Sequence, residues 1–261
     1  MQALDSLETD SSLIGIEVFS GMHRLSTEFR NLVGGFETFE IHDTSDENIL
    51  LKRGILNLFR KLLRVIKDGI VWFGVPCQSW IILARSWTER LILRPEGPER
   101  RLTTQKQWQY LKTHNKIADT VAMFIRTCKA FCINFVIEQP MSSLLFHYSS
   151  IEEQVRGLSR VTFCMEYFCG KTPKPLALVG DAPLLTTLKK AVQLRKGIGK
   201  ANDRLTVRKT GTTGSSNFTG QRQKLKESSG YTYSFGVAIA SCFMGLTEEQ
   251  VVSQMRGLGV A

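Results

Sequence analysis

Short apolar runs alternate with stretches of helical spacing along most of the chain. Ile14-Gly15-Ile16-Glu17-Val18-Phe19 reads as a buried strand, Ser20-Gly21 as a turn, and Leu25 to Leu32 as a helix ended by Gly34-Gly35. Phe36 to Ile41 predicts a second strand and Leu51 to Ile66 a second helix. Gly69-Ile70-Val71-Trp72-Phe73 predicts a third strand that enters Gly74-Val75-Pro76-Cys77-Gln78-Ser79-Trp80. This is the rhythm of a parallel sheet with helices on its faces.

Residues 81–107 are irregular and charged, with Arg94-Pro95-Glu96-Gly97-Pro98 in the middle, and predict a long loop over the strand ends. A helix follows from about Thr113 to Ala130, then the strand Phe135-Val136-Ile137 running into Glu138-Gln139-Pro140. Val161 to Met165 and Leu176 to Val179 complete the sheet, and Val237 to Met244 predicts an apolar helix capped near Gly245. Residues 186–229 are rich in Gly, Ser, Thr and Lys with little periodicity, and read as a basic flexible insert. The expectation is one α/β domain over 13–261 with a Rossmann-like, mostly parallel sheet, preceded by a disordered tail at 1–12. No internal repeat is visible.

Composition narrows the classes. A chain of 261 residues buries a full core without disulfides or metal. Six cysteines with no Cys-x-x-Cys pair, and no secretory signal, point to a reducing, intracellular compartment, the nucleus if the source is eukaryotic. The apolar stretches are strand-length, so no membrane span is expected. Neither Cys128 with Cys132 nor Cys164 with Cys169 has a second pair at zinc spacing, so no metal is expected. The formal charge is +10, and the stretch from Lys189 to Glu227 carries eleven basic residues against two acids. A surplus so placed favours a polyanion, nucleic acid ahead of an acidic membrane surface, and makes Lys189, Lys190, Arg195 and Lys196 candidate phosphate contacts.

Open α/β sheets bind ligands outside the carboxyl ends of their strands. The polar residues that follow the strands are Ser20-Gly21, Glu40-Ile41-His42-Asp43, Pro76-Cys77-Gln78 and Glu138-Gln139-Pro140. A cysteine at such a place becomes a nucleophile if backbone N–H groups or a cation lower its pKa, and a desolvated carboxyl can exchange a proton with a ring nitrogen. An acid after the second strand suits ribose hydroxyls, although Glu40 and Asp43 also fit ordinary helix starts. Trp72, Trp80 and Trp87 bracket the cysteine, placed either to stack on a base or to pack in the core.

The order Phe19-Ser20-Gly21, Pro76-Cys77-Gln78-Ser79, Glu138-Gln139-Pro140, Gly170 to Gly180 and Gly230 to Ala240 resembles the motif series of the cytosine-C5 DNA methyltransferases, over nearly the whole chain. The resemblance implies a fold of the S-adenosylmethionine-dependent methyltransferase type and methyl transfer to C5 of cytosine in DNA. Cys77 would attack C6 of a flipped cytosine and Glu138 would bind ring N3. Phe19, Ser20, Gly21, Glu40, Asp43, Pro76, Ser234 and Val237 would hold S-adenosylmethionine. Gln78, Ser79 and Lys174 would contact the nucleic acid. The chain departs from the family where His23 and Arg24 stand in place of two of the three glycines, and where Gln139-Pro140 replace Asn-Val. It also lacks Gln-x-Arg-x-Arg, Lys171 or Lys174 being the nearest substitutes, and so resembles a divergent branch. Two other functions fit the same residues: a nucleic-acid-binding protein that has lost the cofactor with its glycines, and a methyltransferase acting on RNA or another acceptor.

Overall fold

The computed structural model describes residues 13–41, 46–170, 172–195, 206–210, 216–220 and 230–257. The tail at 1–12, Asp43, Lys171, Lys196 and much of the stretch 186–229 lie outside the described residues. The elements in chain order are β1 (Leu13–Val18), α1 (Arg24–Leu32), β2 (Phe36–Phe39), α2 (Lys52–Leu62), β3 (Val65–Phe73), α3 (Arg85–Thr88), α4 (Gln105–Ala130) and β4 (Asn134–Pro140). There follow α5 (Ser149–Val155), β5 (Ser159–Cys164), β6 (Pro175–Gly180), α6 (Leu184–Arg195), β7 (Thr206–Thr210), β8 (Ser216–Gly220), α7 (Tyr233–Phe243) and α8 (Glu248–Gly257).

Six strands form one mixed sheet in the order β2-β1-β3-β4-β6-β5. β1, β2, β3 and β4 pair in parallel, whereas β6 runs antiparallel to both of its neighbours. The sheet is α/β and mostly parallel, compatible with a Rossmann-like fold. Side chains alternate between its two faces, as strand geometry requires. Val71 and Phe73 enter a core with Leu58 of α2, Val121 and Phe124 of α4 and Ile151 of α5. Ile70 and Trp72 enter the opposite core with Leu25 and Phe29 of α1, Leu185 and Leu188 of α6, Phe235 and Ile239 of α7, and Val251 of α8. Both faces of the central strands are therefore covered, which is why they read as continuous apolar runs.

Three boundaries differ from the sequence pattern. The helical spacing from Leu51 runs on to Ile66, yet α2 stops at Leu62 and β3 already begins at Val65, where it pairs with Leu13. A bulge then separates that pairing from the ladder starting at Gly15 and Ile70, and Asp68 inside it has φ 63°. The helix expected from Thr113 begins at Gln105, because Thr104 caps it by accepting a hydrogen bond from the Gln107 N–H at 3.2 Å. Finally, the basic stretch does not open as irregular chain at 186: α6 carries it to Arg195, packed through Leu188, Ala191 and Val192. Beyond α6, β7 and β8 pair as a separate antiparallel ribbon. Among the described residues no helix is long and apolar enough to cross a membrane.

Candidate functional site

The carboxyl ends of β1, β2, β3 and β4 lie along one edge of the sheet; β3 ends at Phe73, while β4 runs on to Pro140 with Glu138 and Gln139 still paired to β6. Phe73 lies opposite Ile137, so the segment carrying Cys77 departs beside Glu138. The two are tied: the Gln139 side-chain amide donates to the Val75 carbonyl, and Ser143 Oγ donates back to Gln139 Oε1 at 2.9 Å. Gln139 is fully buried, so this bond is shielded from water. Cys77 O accepts from Trp80 N at 2.9 Å, closing a turn that presents Cys77 and leaves Gln78 exposed.

Glu138 is 8% exposed. Tyr231 Oη, half-buried just before α7, donates to Glu138 Oε2 at 3.1 Å and accepts from Trp72 Nε1 at 3.0 Å. Trp72 and Glu138 lie on one face of the sheet, since Trp72 pairs with Val136 and side chains two apart share a face. Lys174, in the turn before β6, sits with its ammonium 6.0 Å from the Tyr231 ring centre. The backbone around it is fixed by Met165 N to Pro173 O at 2.9 Å and Met141 N to Pro175 O at 3.0 Å.

The electrostatics of this cluster correct one expectation. Burial and, to a lesser degree, the neighbouring Glu138 carboxylate push the Cys77 thiol up to about 11, Lys174 only partly opposing them. Cys77 retains some exposed surface as a residue, but the thiol itself lies among protein atoms, and that environment governs its titration. The lowered pKa expected of a nucleophile is therefore absent from this conformation. Burial also raises Glu138, while Lys174 and the Tyr231 hydrogen bond act against it. Two acids beside one ammonium favour a single negative charge between them.

The other half of the edge is organised differently. Phe19, Gly21 and His23 have φ of 63°, 54° and 55°, so the turn after β1 winds through left-handed backbone that only Gly21 adopts freely. Glu40, just past β2, holds it: Oε2 accepts from the Gly21 N–H and from Ser20 Oγ at 3.1 Å, and Oε1 from Ile41 N at 3.2 Å. Ser20 Oγ also lies 2.7 Å from His23 Nδ1. A Cβ built on Gly21 would meet no atom within 4 Å, so the turn faces open space. No family model and no curated protein matches this chain.

Other candidates are more scattered. Pro76 flanks Cys77 and is half-buried, whereas Ser234 and Val237 are buried within α7. Ser79 is buried and accepts a long hydrogen bond, 3.4 Å, from Arg90 Nη2. Lys189 and Lys190 are exposed on α6, Lys190 pairing with Glu248 at 3.2 Å. Arg195 is 3% exposed, its Nε donating to the Tyr167 carbonyl at 2.6 Å. That hydrogen bond holds its guanidinium inside the fold and removes it from the phosphate-contact set in this conformation. A cavity of about 340 Å³ lined by Asp68, Asn134, Thr187 and Cys242 lies at the opposite, amino end of β3 and β4, away from this chemistry.

Three residues of the edge escaped the sequence reading. Glu17 of β1 is buried; its Oε2 accepts from Ser26 N at 2.8 Å, in the first turn of α1, where His23 supplies no side-chain cap. Its Oε1 has no hydrogen-bond partner among the described residues. Burial pushes Glu17 up to about 7, against the Ser26 hydrogen bonds. Tyr231 lies in the stretch Gly230 to Ala240, where no local pattern marks it as a partner of Glu138. Arg90 is fully buried, its guanidinium 3.7 Å from the Trp80 ring centre, with hydrogen bonds to Pro95 O and, at 2.8 Å, to Asn115 Oδ1. It pins the segment after Cys77, which the sequence presented only as a long loop; Trp87 and Leu93 remain exposed there.

Proposed function

We propose that this protein transfers a methyl group to C5 of cytosine in DNA through a covalent Cys77 adduct. The observation that carries the reading is the meeting of Cys77, Glu138 and Lys174 where β3, β4 and the turn before β6 come together. S-adenosylmethionine, when bound, would supply an electrophilic methyl. The open turn at Gly21 and the half-buried Glu40 fit such a group, and Phe19, Ser20, Gly21 and Glu40 would hold it.

The residues of the chain account for the adduct. The Cys77 proton passes to the Glu138 carboxylate and from there to N3 of the ring, while sulfur bonds to C6. The C5–C6 electron pair moves to C4–C5 as the N3–C4 pair takes the proton, so the thiol adds across the ring with no net change of charge. Lys174 keeps one negative charge tolerable while the proton moves. Exposed Gln78, Lys189 and Lys190 would meet the nucleic acid.

A duplex carrying 5-fluorocytosine, incubated with S-adenosylmethionine, should give a denaturant-resistant adduct, because fluorine blocks the elimination that frees the enzyme. Cys77→Ser should abolish it while the fold persists. Equal yield from the serine variant would overturn the assignment. A second reading, a binding protein without catalysis, draws on two observations: Glu40 already bonded by its own turn, and a Cys77 thiol held protonated. It expects DNA binding with neither adduct nor a thermal shift from millimolar cofactor.

A further inference from the structure

The hydrogen-bond chain Trp72–Tyr231–Glu138 has a direction set by its first member. An indole N–H can only donate, so at 3.0 Å the Tyr231 oxygen must accept from Trp72. A phenol has one hydrogen, and it points to Glu138 Oε2 at 3.1 Å. While the phenol hydrogen stays on that bond, Glu138 Oε2 is its acceptor, and a proton taken up by Glu138 goes to Oε1 rather than to Oε2, where it would face the phenol hydrogen. The indole is held in turn, because Trp72 is 1% exposed in the middle of the sheet and its ring meets Phe235 edge-on at 6.0 Å between centres.

We propose that Tyr231, with Trp72 behind it, is a positioning residue that confines the transferable proton of Glu138 to Oε1 and turns that oxygen toward the base. This rests on the reading of Glu138 as the group that serves N3 of cytosine. The same oxygen takes the Cys77 proton and delivers it to the ring, so one atom performs both transfers and the carboxyl need not rotate. Among the described residues, the charged and titratable groups facing the cluster are Lys174 from the turn before β6, Cys77 from the segment after β3, and Glu17 from β1. None of them interrupts the Trp72–Tyr231–Glu138 sequence.

Tyr231→Phe removes the hydroxyl and keeps the ring. Infrared difference titration, with the Glu138 band assigned by Glu138→Gln, should show the protonated carboxyl at higher wavenumber in Tyr231→Phe, since its carbonyl oxygen has lost a donor. Adduct formation on 5-fluorocytosine DNA should slow by roughly tenfold or more, with DNA affinity unchanged. Trp72→Phe should move the band in the same direction by less, because the hydroxyl survives with its rotation released; it serves also if Tyr231→Phe folds poorly. An unmoved band in both variants overturns the proton placement whatever the adduct does. A band that moves with an adduct rate equal to wild type overturns the aiming role. If wild type forms no adduct and the band still moves, the cytosine reading fails and the proton placement stands.

Discussion

The two halves of the strand-end edge hold a glutamate in opposite ways. Glu40 is half-buried and bonded by Gly21 N, Ser20 Oγ and Ile41 N, all from its own surroundings. Glu138 is almost wholly buried, and Tyr231 bonds one of its oxygens. The first arrangement works as a clamp on a left-handed turn, and a ligand there must exchange partners with the chain. The second buries its carboxyl beside the Lys174 ammonium with Tyr231 on one oxygen, at the cost of desolvation. A strand-end acid therefore says little by itself; what distinguishes a fastening from a reactive group is how many donors the fold has already brought to it.

Glu17 lies between the halves and gives the largest effect. Its register partner on β3 is Trp72, and its charge also bears on Tyr231. The carboxyl titrates near 4.5 when unfolded and near 7 when folded, so between those values the folded chain holds more protons. Stability linked to Glu17 is full below about 4.5 and is lost as pH rises to about 7, amounting to about 3 kcal/mol. Urea unfolding of wild type and Glu17→Gln at pH 5 and pH 7.5 should show the variant gaining on wild type by that order at the higher pH. A difference independent of pH would place Glu17 with Glu40, as a fastening.

The reactive half is sharpened next by the cysteine. Removing the Glu138 charge in Glu138→Gln relieves one of the causes that push Cys77 up, and Lys174→Met removes the larger of the two that oppose them. Iodoacetamide alkylation of Cys77, followed by mass spectrometry from pH 7 to 10, should be faster in the first variant and slower in the second. Each change should be roughly tenfold, the equivalent of one pKa unit. Changes of the same sign would mean that burial alone controls the thiol, and Cys77 would then be an inert core residue.

Much of this edge was legible because apolar runs end in recognisable turn chemistry. Phe19-Ser20-Gly21 and Pro76-Cys77-Gln78 follow β1 and β3 as the pattern places them, whereas Glu138 and Gln139 lie inside β4, which stays paired with β6 to Pro140. Tyr231 was not legible as a partner of Glu138, because the contact joins residues 93 apart in sequence. Glu17 hid inside β1, which reads as a buried apolar strand with no sign of how its one acid is accommodated; α1 and α7 cover its face and the Ser26 N–H meets it. The helix α6 was masked by its lysines, since apolar Leu188, Ala191 and Val192 are diluted by a long basic, glycine-rich window. Arg90 looked like one more charge in a loop, and burial with a stacked indole has no local signature.

On the clamp side the effects are smaller. Ser20→Ala deletes one donor to Glu40, and Gly21→Ala forces a side chain onto φ 54°; each should cost about 1 kcal/mol. Thermal unfolding checks both, and Cys77 alkylation should be unchanged in either. A change in alkylation would show the two halves to be coupled through the backbone of β1 and β3.

The contact through which such coupling would run is Gly74, and its substitution gives the smallest and most discriminating expected effect. Gly74 N donates to Val18 O at 3.0 Å, so it is fastened to the end of β1. A Cβ built on it would lie 3.1 Å from Phe19 O, in the clamp, and 3.4 Å from Tyr231 Oη, in the reactive half. The tight contact is the nearer one, to backbone in a left-handed turn that yields little, so the end of β3 must back away from it; the distance to Tyr231 Oη is ordinary van der Waals contact, which that retreat closes. In Gly74→Ala the hydroxyl of Tyr231 should therefore shift by a few tenths of an ångström and weaken its bond to Glu138. That bond favours the charged carboxylate, so weakening it leaves Glu138 neutral more often and lightens the charge beside Cys77. Alkylation of Cys77 should accelerate in the direction of Glu138→Gln but by less, with stability reduced by under about 1 kcal/mol. Unchanged alkylation with a larger stability loss would instead mean that Phe19 had moved, and that the strain of this substitution falls on the clamp.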